Sequence, residues 1–141
     1  MKISKFSIIL MTLAIFAVTS VLPATALGAG AVRTLTSASH RQVVGATDSV
    51  ILMDATTIPG IGTCVVASLP YANTARGQVL RFEKIDSTSN SASVVVGLFS
   101  GDHIDGFHEW TTRSQFAEIT LVSDGSNNWY VRSMTGTWTP T

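Results

Sequence analysis

A chain of 141 residues with one cysteine and nine basic against nine acidic side chains is long enough for one ordinary domain and too short for two with independent cores. The charge balance provides no footprint for nucleic acid or an anionic membrane surface. A single cysteine, Cys64, makes neither an intramolecular disulfide nor a structural zinc site, which needs several such ligands.

The chain opens on MKISKFSIILMTLAIFAVTSVLPATALGAG, with Lys2 and Lys5, an uncharged apolar run from Phe6 to about Val18, and small residues around Pro23. These are the three regions of a secretory signal peptide. Ala24 and Ala26 occupy the A-x-A positions, so cleavage is expected after Ala26, with Gly28 or Ala29 as alternatives. The run is shorter than the roughly 20 apolar residues of a spanning helix, which argues against an uncleaved anchor. The expected organisation is a signal peptide over 1–26, an N-terminal linker or strand over 27–40, a β-rich domain over 41–134 and a C-terminal tail over 135–141. Cleavage removes Lys2 and Lys5, leaving seven basic and nine acidic residues, a net charge of −2 with the histidines neutral. The product is expected to be secreted or displayed at the cell surface, with no membrane association once the signal is removed.

Beyond Gly30 the chain is rich in Thr, Ser, Val and Gly, with short apolar runs broken by turn residues, which predicts an all-β domain. Strands are expected at Arg41 to Ala46 and Ser49 to Asp54, and then at Thr63 to Leu69, which Pro70 should stop. The loop YANTARG leads to a strand from Gln78 to Asp86. There Leu80 and Phe82 share a face by period two but Ile85 breaks the parity, so a β-bulge is expected near Glu83 and Lys84. The strand Ala92 to Ser100 is apolar on both faces, with Val94, Val96 and Leu98 on one and Val95 and Phe99 on the other. It should be central between two layers or lie at a subunit contact. The segment GDHIDG is a turn-rich link, followed by FHEWTTRSQF. In the stretch ITLVSDGSNNWYVRS, Asp124 and Gly125 predict a hairpin turn between two alternating strands, with Trp129 on the core. The fold class expected is a single antiparallel sandwich or compact barrel-like domain.

Several residues invite a chemical reading. His103, Asp105 and His108 are metal-ligand types in close order, the basis for a small secreted metal-dependent hydrolase. His103 and Asp105 lie in a glycine-flanked turn, no spacing such as H-E-x-x-H is present, and solvated turn residues are the simpler account. No G-x-S-x-G elbow or glycine-rich phosphate cradle is present, so no catalytic residue, cofactor or metal is assigned. Trp110 and Trp138 are candidate ligand or partner contacts, since aromatic faces pack on sugars, which gives a monomeric lectin-like module binding a surface glycan as an alternative. Cys64 reads as a small strand hydrophobe or as an intermolecular disulfide.

Taken in order, DSVILMDAT, ASLPYANTARGQVLRFEKID, SGDHIDG and ITLVSDGSNNWYVRS resemble a β-rich module of bacteriophage tail fibres and related appendage proteins, over about Arg41 to Ser133. The resemblance implies a structural or attachment role, self-association favouring homotrimers, and architectural rather than catalytic roles for the matching residues. Those are Asp54, Leu69, Pro70, Gly77, Ile85, Asp86, Ile104, Asp105, Gly106, Leu121, Asp124, Gly125, Trp129 and Tyr130. The sequence departs from the pattern in carrying two asparagines, Asn127 and Asn128, in the closing hairpin, and an export signal that a virion fibre would lack. The function expected is a non-enzymatic secreted or cell-surface module that self-associates.

Overall fold

The computed structural model describes residues 30–36, 41–56, 64–97 and 101–141. The expected signal peptide and, of the expected strands, Thr63, Leu98, Phe99 and Ser100 lie outside the described residues. In chain order the strands are β1 (Ala31–Thr36), β2 (Gln42–Val43), β3 (Asp48–Asp54), β4 (Cys64–Ser68), β5 (Val79–Lys84), β6 (Ser91–Val95), β7 (His103–Ile104), β8 (Glu109–Thr112), β9 (Glu118–Ser123), β10 (Asn128–Thr135) and β11 (Thr139–Pro140). A single 3-10 turn, Ala72–Thr74, interrupts them.

Two sheets pack face to face, as the all-β reading expects: a six-stranded sheet in the order β1-β3-β5-β9-β10-β7 and a five-stranded sheet in the order β11-β8-β6-β4-β2. The antiparallel expectation needs correction. Successive strands alternate between the sheets up to β9, and as far as β6 strands two apart in sequence run the same way and become neighbours. β1, β3 and β5 are therefore parallel in one sheet, and β2, β4 and β6 in the other. Antiparallel pairing begins where this winding ends, at β6 with β8, β5 with β9 and the β9–β10 hairpin. The segments at Arg41 to Ala46 and Ser49 to Asp54 accordingly belong to opposite sheets; Gly45 and Asp48 turn the chain between them, with Asp48 Oδ2 accepting Gly45 N–H at 2.8 Å.

The core lies between the sheets. Leu35, Ile51, Met53, Leu80, Phe82, Ile119, Leu121 and Trp129 line the larger sheet, and Val65, Ala67, Ala92 and Val94 the smaller. β5 and β9 alternate buried with more exposed residues, the period-two signature of a sheet with one face inward, whereas Ser93 of β6 is buried along with Ala92 and Val94. β6 lies at the centre of the five-stranded sheet, as its apolar sequence suggests.

The bulge expected in β5 is absent: the strand pairs in unbroken register with β3 and β9 through Glu83 and Lys84. Parity is kept by burying Lys84 on the same face as Leu80 and Phe82. Its ammonium, with a fully buried side chain, donates to Asp86 Oδ1 (2.8 Å), the Asp86 carbonyl (2.9 Å) and the Thr88 carbonyl (2.9 Å). Asp86 in turn accepts the N–H groups of Ala55 at 2.7 Å and Thr88 at 2.9 Å, and the Thr88 hydroxyl. Asn90 Nδ2 closes the knot on the Ala55 carbonyl at 2.8 Å, tying the end of β3 to the crossover from β5 to β6. A bulge does occur in β10, where the register shifts between Val131 and Ser133.

At the opposite end of β5, the 3-10 turn is held from three directions. Asp102 Oδ2 accepts Ala72 N–H at 2.9 Å, the Ser123 hydroxyl donates to the Ala72 carbonyl at 2.8 Å, and Trp129 Nε1 donates to the Pro70 carbonyl at 3.3 Å. The terminal residues are part of the fold as well: β11 pairs with β8, and Thr141 exchanges backbone hydrogen bonds with Glu109.

Candidate functional site

The stretch that begins at Ile119 is a hairpin. Asp124 Oδ1 accepts the N–H groups of Ser126 (2.7 Å) and Asn128 (3.1 Å), and Oδ2 accepts from Asn128 Nδ2 at 3.2 Å. These donors, the Ser126 N–H foremost, hold the Asp124 carboxyl below the usual carboxylate range. Gly125 has φ +78, and any Cβ there would meet the side chain of Arg76, so the turn requires glycine on both counts. The polar groups of this stretch serve the turn itself.

The tryptophans do not form a sugar platform. Trp138 is 7 % exposed within the core, with its buried Nε1 unpaired, so the tail folds back rather than presenting the ring to a partner. Trp110 points from β8 toward the core, donates its Nε1 to the Ile104 carbonyl at 3.2 Å and meets Phe107 edge-on at 6.0 Å. Among the described residues the surface aromatics are instead Tyr71, Phe107, Phe116 and Tyr130.

His103 and His108 do meet, with ring centroids 4.8 Å apart. Asp105 is turned elsewhere: at φ +49 its Oδ2 accepts Val131 N–H at 3.1 Å. Among the described residues no group of three His, Cys, Asp or Glu side chains converges on a common point. The geometry that a metal-dependent hydrolase would need at His103, Asp105 and His108 is therefore not assembled.

A concavity with an apolar floor lies on the outer face of the five-stranded sheet. A groove of about 390 Å³ is lined by Arg41, Val66, Val95, Val96, His108 and Glu109. Register explains its composition. Val65 and Ala67 of β4 and Ala92 and Val94 of β6 face the core, so the alternate residues Cys64, Val66 and Val95 face out. Val43, Ser68, Val95 and Glu109 form one row across four strands, and Val66, Ser93, Thr111 and Thr139 the next. The floor is apolar at Val66 and Val95 and hydroxylated beside them, where Ser93 and Thr111 share a hydrogen bond at 2.9 Å. Val43, on the same face, is 66 % exposed.

The charged residues are rooted on two sides of this floor, and the Arg41 guanidinium reaches across it to the end of β6, beside the strand of Glu109. Glu109 belongs to β8, on one side of β6 and β4, and Arg41 precedes β2 on the other. The Arg41 Nη2 is fixed by the Val96 carbonyl at 2.9 Å, which leaves the remaining guanidinium donors for a further acceptor. Cys64 is a free, half-buried thiol on this face. A neighbouring groove of about 450 Å³ runs from Glu109 over Thr111, Thr139 and Thr141.

Comparison with known proteins adds no relative: no family model matches the chain, and no curated protein matches it.

Proposed function

We propose that the protein is a non-enzymatic structural or attachment module, secreted or held at the cell surface, whose copies associate through the outer face of the five-stranded sheet. The observation that carries this reading is a face with an apolar floor, Val66 and Val95, that carries both a cation, Arg41, and an anion, Glu109. Such a face meets a second copy of itself with apolar centre on apolar centre and Arg41 of each copy toward Glu109 of the other. This is the arrangement that symmetric oligomers require. Val43, exposed on the same face, enlarges the apolar area a partner would cover. The resemblance to tail-fibre modules and the leader-like N-terminal sequence support self-association independently of the groove, although the reciprocal contact is twofold where the resemblance implies trimers. Cys64 on this face would be brought near a second copy, so an intermolecular disulfide is compatible with the association and not required by it.

Charge reversal tests the proposal. Arg41→Glu should lower the average mass in light scattering, Glu109→Arg should do the same, and an equal mixture of the two variants should restore association. Unchanged mass in both single variants would overturn the contact.

A further inference from the structure

Among the described residues one sheet edge is long and uncovered. β1 forms the outer edge of the six-stranded sheet over six residues, whereas β7, β2 and β11 are edges of two residues each, the last containing Pro140. Edge strands expose unpaired backbone donors and acceptors, and proteins usually blunt them with proline, inward charge or brevity. β1 has no proline and is not short; its register with β3 shifts only between Ala31 and Val32, and its inward-facing charge is engaged within the chain. Its one charge, Arg33, is drawn off the edge by hydrogen bonds to the Val43 carbonyl (2.9 Å) and Asp48 Oδ2 (3.5 Å), and Val32 is 64 % exposed.

Resting on the self-association reading above, we propose that the outer edge of β1 pairs antiparallel with β1 of a second copy, joining two six-stranded sheets into one. The alternation of the strand restricts the register to twofold axes through a residue, and Thr34 is the middle one of the exposed Val32, Thr34 and Thr36. Directly opposed residues must point to the same face, and a twofold axis through Thr34 meets this condition, setting Thr34 against Thr34, Val32 against Thr36 and Arg33 against Leu35. Thr34, exposed on the strand, sits on that axis. Chain length bears on the occupant. Residues 37–40 are spent joining β1 to Arg41 and β2 in the other sheet. Cleavage after Ala26 would leave three residues ahead of Gly30, too few for a turn and a returning strand. Thr36 O already accepts Gln42 Nε2 at 3.1 Å, which marks one end of the available edge.

A twofold contact at β1 adds copies in pairs, so the assembly should contain an even number of chains. The test uses protein recovered after expression of the full chain, its N-terminus read by mass spectrometry. Thr34→Lys sets like charges against each other across the axis and should halve the mass seen by light scattering. Thr34→Glu should do the same, and mixing the two should recover the wild-type mass. A wild-type trimer, or a Thr34→Lys mass equal to wild type, would overturn the β1 contact, including the case in which retained residues 1–29 cover the edge. If Arg41→Glu lowers the mass while Thr34→Lys does not, self-association stands and the edge contact falls. A wild-type monomer removes both.

Discussion

Replacing Asp86 by alanine is expected to lower the unfolding free energy by about 3–5 kcal/mol, because it leaves the Lys84 ammonium uncompensated inside the sandwich. Lys84 is fully buried, and Asp86 supplies both the carboxylate and the carbonyl that it contacts. Substituting the carboxylate also strips acceptors from the N–H groups of Ala55 and Thr88, loosening the link between β3 and the crossover to β6. Lys84→Met should cost less than Asp86→Ala, since it removes the buried charge together with its need for a partner and keeps the apolar stem in place. Urea unfolding at one fixed protein concentration ranks the two; the reverse order would contradict the knot as described. The same pair predicts an acid limb. Burial alone would raise the Asp86 pKa, but hydrogen bonds from Lys84, Thr88 and the Ala55 N–H bring it from 3.8 down to about 2. With the folded value depressed, the unfolded chain binds more protons between those two values. The stabilisation is therefore fully present above pH 3.8 and lost as the pH falls toward 2, about 2 kcal/mol in all. An Asp86→Ala chain should lack that part of the pH dependence.

Trp129→Ala should cost a further large amount, about 3–5 kcal/mol by the usual scale for deleting a buried tryptophan. Trp129 is the largest fully buried side chain of the described residues and stands at the start of β10, beside β7 and β9. Its loss empties the core below the 3-10 turn and removes the donor from the Pro70 carbonyl. Trp129→Phe separates these contributions: it keeps most of the apolar volume and loses the hydrogen bond, so about 1–2 kcal/mol is expected. Near-wild-type stability of Trp129→Ala would mean that Asp102 and Ser123 hold the turn without it.

The strands that alternate cleanly were legible in the sequence, and so was the Asp124–Gly125 hairpin, because period two and turn chemistry are local properties. The chain's course between the sheets was not. Nothing in RQVVGATDSVILMD distinguishes a hairpin from a crossover, and the parallel ladders follow only from the repeated crossing. Lys84 misled for a related reason. A lysine at an inward position reads as a parity break, and only the acceptors brought by Asp86 and Thr88 make its burial affordable. The outer groove was half visible: Val95 was marked by the two apolar faces of its strand, whereas Arg41, Val66 and Glu109 come from three separate strand regions that only the sheet order assembles. Trp138 could be read from sequence either as exposed or as folded back, and the pairing of β11 with β8 resolves it.

The most direct test of self-association is the mass of the chain, measured by light scattering after size exclusion over a range of concentrations, with and without reductant. A mass above that of one chain, rising with concentration and independent of reductant, is the predicted result; dependence on reductant would assign the contact to Cys64. A monomer at every concentration would contradict the account.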